Sequence, residues 1–152
     1  MHGLVVMRVD ILLAEDDLEV RRFLAQALRS DGFRITEAVS GTQLMDRLWE
    51  RAASKAGFDL IISDVRMPGF TGFEVLEMLR EQPDPSDDFE PQVREVPIIL
   101  ITAFGDPGLH AAATRLGAVV LDKPFDIDDL RACAHRLLTS DDERHRDVGG
   151  RD

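Results

Sequence analysis

Three acids, one threonine and one lysine stand at the ends of apolar stretches in this 152-residue sequence. They are Glu15, Asp16, Asp64, Thr102 and Lys123. Two carboxylates about 5 Å apart repel by roughly 3 kcal/mol at an effective dielectric constant near 20, so a cation must offset them if they meet. Hard carboxylate oxygens suit Mg²⁺, which keeps several waters and accepts one or two protein carboxylates. We therefore expect Mg²⁺ as the cofactor of this set.

The same residue types indicate which reaction the metal could serve. A metal ion can hold a phosphoryl oxygen, and an aspartate can be the nucleophile that receives the phosphoryl group. Thr102 can donate a hydrogen bond to that group, and Lys123 can neutralise its charge. No glycine-rich phosphate loop is present, so a bound nucleotide is not implied. The residues favour phosphoryl transfer onto an aspartate.

These side chains can act together only if the fold brings the ends of four stretches to one place. Strand and helix patterns alternate five times, and the predicted strands cover 8–14, 33–38, 60–63, 97–101 and 119–121. Five nearly all-apolar strands separated by helices predict an α/β fold, with a parallel sheet covered on both faces. Ligands of such sheets bind beyond the carboxyl ends of the strands, so the five residues are expected at one rim.

Helix boundaries follow from capping residues and apolar spacing. Thr71 and Glu74 have the spacing of a capping box. The other predicted N-caps are Asp17, Ser40, Asp106 and Asp126. The predicted apolar face of the first helix, at i, i+3, i+4 spacing, consists of Val20, Phe23, Leu24, Ala27 and Leu28.

Composition narrows the function classes. The chain is 44% apolar and 31% charged, and 18 Lys and Arg against 29 Asp and Glu give a formal net charge of −11. That balance argues against coating nucleic acid or an anionic membrane, since both favour basic surfaces. One cysteine excludes an internal disulfide and a Cys-rich zinc site. No apolar run approaches the roughly 18–20 residues of a membrane span, so we expect a cytoplasmic protein without membrane insertion or direct nucleic-acid binding.

The chain is interpreted as one folded domain with peripheral segments. Residues 1–7 are an N-terminal extension, and 8–139 form the domain. Segment 82–96, rich in proline and acids, is predicted to be a mobile insertion, and the polar segment 140–152 a disordered tail. No effector-domain pattern follows, so we expect a free-standing domain. The alternative is a piece cut from a longer protein.

Four motifs, in order along the chain, resemble the receiver domains of two-component response regulators. They are Glu15-Asp16, Asp64-Val65-Arg66-Met67-Pro68-Gly69, Thr102-Ala103 and Lys123-Pro124-Phe125. The resemblance covers roughly residues 8–138, and the chain is similar in fold to the chemotaxis response regulator. It implies a flavodoxin-like, doubly wound (βα)5 fold whose five-stranded parallel sheet has the order 2-1-3-4-5.

The resemblance also assigns a metal and phosphoryl site. It implies that Asp64 is the phosphoacceptor and that Asp16 and Asp64 bind Mg²⁺ directly. Glu15 would reach the metal directly or through water, and the backbone carbonyl of Arg66 would be a further ligand. A histidine kinase or a phosphotransfer protein would be the donor, and an unidentified protein the downstream target.

Further positions of the resemblance concern the switch itself. Thr102 would be the switch hydroxyl and Lys123 the lysine typical of the family, followed by a cis peptide bond to Pro124. Most receivers carry an aromatic residue three positions before that lysine. Here the position is Val120, which makes it a modulator of any coupled rearrangement.

Two side chains are expected to control how long the phosphoryl group persists. By resemblance, Arg66 and Phe104 flank the path of the attacking water. Phenylalanine cannot orient a water by hydrogen bonding, and arginine offers donors only, so neither activates that water. We expect a long-lived phosphoprotein. The alternative is that Phe104 turns into the neighbouring helix and leaves the path open.

Three function classes are compatible with an acidic site of this kind. A phosphorylation-driven switch is favoured; the chain would not be an enzyme beyond its own phosphorylation and dephosphorylation. A phosphatase of the haloacid dehalogenase type needs a second acid two residues after its nucleophile, and that position is Arg66. A pseudo-receiver, which binds partners without phosphorylation, usually lacks an acid, the nucleophile or the lysine. It is kept as the alternative.

Overall fold

The computed structural model of the chain describes residues 8–54, 57–81, 91–103 and 107–149. Five strands form one parallel sheet in the order β2-β1-β3-β4-β5. The predicted doubly wound α/β fold and its strand order are confirmed. The strands are β1 (Asp10–Ala14), β2 (Arg34–Ala38), β3 (Leu60–Asp64), β4 (Ile98–Thr102) and β5 (Val119–Asp122).

Helices cover both faces of the sheet, because successive strand side chains point to opposite sides. In β1, Ile11 and Leu13 pack in one apolar cluster with residues of the first and last helices. Leu12 and Ala14 pack in the other, with residues of the second and third. The helices are α1 (Leu18–Ser30), α2 (Gly41–Ala53), α3 (Gly72–Arg80), α4 (Pro91–Arg94), α5 (Pro107–Arg115) and α6 (Ile127–Gly149).

Capping residues place several helix starts where the sequence predicts them. The Asp17 side chain accepts a hydrogen bond from a main-chain N–H of the first turn of α1 at 3.0 Å, and Ser40 does the same for α2 at 3.1 Å. Thr71 and Glu74 form a reciprocal capping box at the start of α3. The other two predicted N-caps are Asp126, directly before α6, and Asp106, which lies outside the described residues.

The buried face of α1 differs from the prediction. Phe23, predicted to lie on that face, is 58% exposed. The buried positions are instead Arg21, Leu24, Ala25 and Leu28, which follow the spacing i, i+3, i+4, i+7. The prediction for Phe23 is therefore wrong, because the buried face is centred elsewhere around the helix and admits an arginine.

Part of the predicted insertion belongs to the core. Pro91–Arg94 forms the short helix α4, and Val93 and Val96 are buried in the apolar cluster that α2 and α3 cover. The expectation of a mobile loop over 82–96 is thus wrong for residues 91–96, because two valines there pack against apolar surface. The remaining part, 82–90, lies outside the described residues.

The backbone also corrects the predicted disordered tail. α6 continues to Gly149, so residues 140–149 are helical rather than irregular. Residues 140–147 are polar but contain neither glycine nor proline, and polar side chains alone do not end a helix. In the part of the chain that the structure describes, no helix is long and apolar enough to cross a membrane.

Candidate functional site

Four strands end at the same edge of the sheet and bring the predicted residues together there. Asp64 is the last residue of β3 and pairs in register with Ile101 of β4. Thr102, the last residue of β4, pairs with Asp122 of β5, directly before Lys123. Because all the strands are parallel, their carboxyl ends share this edge. Residues from distant parts of the chain therefore meet.

Three carboxylates form a compact acidic cluster at this edge. One oxygen each of Glu15, Asp16 and Asp64 lies within 4.8 Å of the others. Glu15 and Asp64 are buried, with 2% and 8% exposure, whereas Asp16 faces solvent. The Nζ atom of Lys123 donates to Oδ2 of Asp64 at 3.1 Å and lies 3.4 Å from Oε1 of Glu15. One cation thus contacts both buried acids.

Burial and neighbouring charge shift the protonation equilibria of this cluster. Burial, foremost, raises the pKa of Glu15 to about 7, and the charge of Asp64 and a hydrogen bond with Asp16 act in the same direction. The main-chain N–H of Asp17, 3.2 Å from Oε2 of Glu15, and the charge of Lys123 oppose that rise. The acids are therefore packed more closely than one lysine can compensate.

The cluster favours the charged form of Lys123, whereas it disfavours the charged form of Glu15. Partial burial alone would lower the pKa of Lys123, but its hydrogen bond to Asp64 and the charges of Asp64 and Glu15 raise it above its ordinary value. The ammonium group is therefore charged at neutral pH. It provides a fixed positive charge beside Oδ2 of Asp64.

The loop after β3 is held by glycines that permit close backbone contact. Gly69 has a φ of +83°, and a Cβ at that residue would lie 2.3 Å from Oγ1 of Thr42. The N–H of Gly41 donates to the carbonyl of Pro68 at 2.9 Å, which fastens the loop to the start of α2. Within the loop, the N–H of Arg66 donates to Oδ1 of Asp64 at 3.3 Å. The loop therefore orients one oxygen of Asp64.

Two further predicted residues, Thr102 and Val120, lie on β4 and β5. Thr102 is 6% exposed, and its carbonyl accepts the N–H of Lys123 at 2.7 Å. The peptide bond between Lys123 and Pro124 is cis, as predicted. Val120 is half-buried and packs against the apolar cluster that α2 and α3 cover. Phe104 lies outside the described residues.

The donor set fits Mg²⁺. Three carboxylates supply hard oxygen atoms within one ion's reach, and exposed Asp16 leaves one side open to solvent. Three carboxylates and one ammonium leave two negative charges when all are ionised. A divalent cation would balance these charges while keeping several of its own waters.

Sequence reasoning missed one residue that holds this site, Arg21. Its Nη1 donates to the carbonyl oxygen of Glu15 at 2.9 Å, and its Nε donates to Oε1 of Glu37 at 3.0 Å. A signal was present in the sequence, because Arg21 has helical spacing with Leu24 and Leu28. A charged residue on an apolar helix face calls for a buried partner.

Comparisons with known proteins agree with this fold. The model of the family described as "response regulator receiver domain" matches residues 11–135. The chain belongs to this family. The chain is 30% identical over 140 residues to the uncharacterised transcriptional regulatory protein YkoG of Bacillus subtilis, covering 91% of this chain and 55% of that protein. It therefore spans about half the length of that relative.

Two further relatives are covered almost end to end. Sporulation initiation phosphotransferase F of Bacillus subtilis is 27% identical over 134 residues, with 88% of this chain and 96% of that protein covered. The structure of the Vibrio cholerae chemotaxis protein CheY4 superposes with a TM-score of 0.69 at 29% identity, covering 86% of this chain and 98% of that one. Receiver domains bind Mg²⁺ at an acidic pocket, and Glu15, Asp16 and Asp64 form such a cluster here.

Proposed function

We propose that this protein is a phosphorylation-dependent signalling switch. Asp64 would accept a phosphoryl group from a phosphohistidine of a histidine kinase or a phosphotransfer protein. The observation that carries the proposal is the pair of contacts made by Asp64. Oδ2 receives the Lys123 ammonium at 3.1 Å and Oδ1 receives the Arg66 N–H at 3.3 Å. The carboxylate is thereby oriented within the acidic cluster.

Asp64, Lys123 and Thr102 would each take one part in the transfer. A carboxylate oxygen of Asp64 forms a bond to phosphorus as the bond from phosphorus to the donor's imidazole nitrogen breaks, and the freed imidazole keeps that electron pair. Lys123 neutralises charge on the phosphoryl oxygens, and the Thr102 hydroxyl donates a hydrogen bond to one of them. Asp64 and Thr102 end their strands and Lys123 directly follows β5, so all three groups stand at the same edge of the sheet.

Mg²⁺ would be held by Glu15, Asp16, Asp64 and the main-chain carbonyl of Arg66. When bound, it supplies positive charge and a coordination position for a phosphoryl oxygen. Glu15 and Asp64 are too buried for water to screen their repulsion fully, which supports a requirement for a divalent cation.

The proposed donor and target are proteins rather than nucleic acids. The formal net charge of −11 disfavours direct contact with phosphate backbones. One relative, sporulation initiation phosphotransferase F of Bacillus subtilis, is named a phosphotransferase, which supports exchange of phosphate with a second protein. A partner-binding role without phosphorylation is the competing proposal, and labelling separates the two.

The experiment is phosphorylation by acetyl phosphate or phosphoramidate in Mg²⁺, followed by intact-protein mass spectrometry. We expect one phosphoryl group on wild type and none on Asp64→Asn, because an amide is not a nucleophile at neutral pH. The control is Asp46→Asn, which alters an exposed acid on α2 and should label like wild type. Label on Asp64→Asn would transfer the role to another acid, Glu15 or Asp17 first.

Absence of label on wild type, with each donor and in saturating Mg²⁺, would contradict the proposed switch. That result would favour the pseudo-receiver alternative, in which partners bind regardless of phosphorylation.

A further inference from the structure

A buried arginine reaches from α1 to the backbone of the acidic loop. Arg21 is 9% exposed. Its guanidinium donates through Nη1 to the carbonyl of Glu15 at 2.9 Å and through Nε to Oε1 of Glu37 at 3.0 Å. Glu37 lies on β2 and also accepts from Nη2 of Arg29 at 3.2 Å. The guanidinium therefore has a carboxylate partner, and its donors are directed at two acceptors.

Hydrogen bonds hold the backbone on both sides of Glu15, including the peptide group that joins it to Asp16. The N–H of Glu15 donates to the carbonyl of Ala38 on β2 at 3.0 Å, and its carbonyl accepts from Arg21. The carbonyl of Glu15 belongs to the peptide plane that leads into Asp16. Since the Asp16 side chain is exposed, packing does not fix its direction, which depends on the orientation of that peptide plane and on the hydrogen bond with Glu15.

We propose that Arg21 is a positioning residue for the metal site, which holds the Glu15–Asp16 peptide so that both carboxylates face Asp64. This inference rests on the Mg²⁺ site of the proposed function. Glu37 completes the arrangement, because it balances the arginine's charge. Otherwise an unpaired cation beside the cluster would oppose Mg²⁺ binding.

The chain offers a matched control in Arg80. This residue is also a partly buried arginine, and it donates to three main-chain carbonyls, those of Arg94, Val96 at 2.6 Å and Leu116 at 3.0 Å. None of these acceptors belongs to the acidic cluster. Loss of either arginine removes buried hydrogen bonds and should lower stability, but only loss of Arg21 should change metal affinity.

The experiment is a titration of each protein with Mg²⁺ alone, followed by amide chemical shifts, for wild type, Arg21→Met, Arg21→Lys and Arg80→Met. Mutation of a group that orients a metal ligand typically lowers metal affinity by 10–100-fold. We expect Arg21→Met to bind Mg²⁺ about tenfold more weakly. Arg21→Lys should fall between, because a compact ammonium lacks the rigid planar fork that directs separate donors at the two acceptors. Arg80→Met should stay within about twofold of wild type despite a lower melting temperature.

Labelling by acetyl phosphate supplies a second readout that a purely structural role would not move. For Arg21→Met, we expect the Mg²⁺ concentration at half-maximal rate to rise by the same factor as the dissociation constant. The rate at saturating Mg²⁺ should remain close to that of wild type. Should Arg21→Met fail to fold, Arg21→Lys carries both measurements.

The outcomes separate this inference from the proposed function. Mg²⁺ affinities of both Arg21 variants within twofold of wild type, or an equal loss in Arg80→Met, would overturn the positioning role. Wild type that binds no Mg²⁺ would overturn both ideas. Wild type that binds Mg²⁺ more tightly than Arg21→Met, but accepts no phosphoryl group on Asp64, would leave the positioning role standing and refute the switch.

Discussion

Glu15 and Lys123 are separated by 108 positions in the chain, yet Oε1 of one lies 3.4 Å from Nζ of the other. The same ammonium also contacts Asp64 at 3.1 Å, so one cation is shared between two buried carboxylates. Sharing leaves Glu15 incompletely compensated, and its pKa is raised to about 7, chiefly by burial. The metal-free site therefore holds a carboxyl group that resists ionisation at neutral pH.

Glu15→Gln should stabilise the metal-free protein at alkaline pH. A pKa of about 7 in the folded chain, against an ordinary value of 4.5, means that the folded state favours the protonated form. Stability associated with that proton is fully present below about pH 4.5 and is lost as the pH rises through about 7. Glutamine, which resembles the protonated acid, avoids the loss. Denaturation in EDTA should show a higher free energy of unfolding for the variant at pH 8, and a gain close to zero at pH 4.

The matched control for this measurement is Glu19→Gln, which alters an exposed acid in the first turn of α1. Its effect on the free energy of unfolding should be small at both pH values, because water screens an exposed charge. A Glu15→Gln variant that is less stable than wild type at pH 8 would contradict the expected ionisation cost.

Asp16→Asn should weaken Mg²⁺ binding. The substitution keeps an oxygen ligand but removes one of the three negative charges that meet within 4.8 Å. We expect the dissociation constant to rise about tenfold or more, which corresponds to about 1.4 kcal/mol or more of binding free energy. Amide chemical shifts in a Mg²⁺ titration measure it, with the neighbouring Asp17→Ser, which retains an N-cap, as the control. Equal affinities for Asp16→Asn and wild type would remove Asp16 from the metal site.

Asp31→Asn should destabilise the fold at neutral pH and lose this effect in acid. Asp31 follows α1 and accepts from Arg131 of α6 at 2.8 and 2.5 Å, and this hydrogen bonding lowers the pKa of Asp31. A lowered pKa contributes stability above the unfolded value near pH 3.8, and that stability disappears as the pH falls through the folded value. Thermal unfolding at pH 7 and below pH 3 should show the gap between variant and wild type closing.

Asp128→Asn is the control for that pair, since Asp128 contacts the same arginine at 3.2 Å but is 82% exposed. Its effect at pH 7 should be the smaller one, because water screens it. The role assigned to Asp31 would be refuted if the two variants lost equal stability.

The phosphoryl group should be lost faster from the double variant Phe104→Glu with Arg66→Asn than from wild type. Wild type offers no side chain at these positions that could accept a proton from water, whereas glutamate is a candidate general base. We expect autodephosphorylation in Mg²⁺ to accelerate about tenfold or more. Phe104→Leu keeps the position apolar and should retain the slow rate. Equal or slower loss from the double variant would refute the shielding role of Phe104 and Arg66.

Local sequence patterns were enough to predict the strands, most helix starts and the edge at which the site lies. The capping box of Thr71 and Glu74 and the N-cap Asp17 depend on residues three apart, so they can be predicted from local sequence. The convergence of Asp64, Thr102 and Lys123 follows from one rule, that parallel strands point their carboxyl ends to the same edge. Neither inference needs knowledge of side-chain packing.

Other features depended on contacts between distant segments, which only the tertiary structure decides. Helical spacing alone allowed Phe23 on the buried face of α1. Arg21 was buried instead because Glu37 on β2 and the carbonyl of Glu15 offered it acceptors. The pKa of Glu15 likewise reflects how deeply the sheet edge buries it beside Asp64. Burial and partner geometry arise only when the chain closes, so local sequence could name the acids but not their energetics.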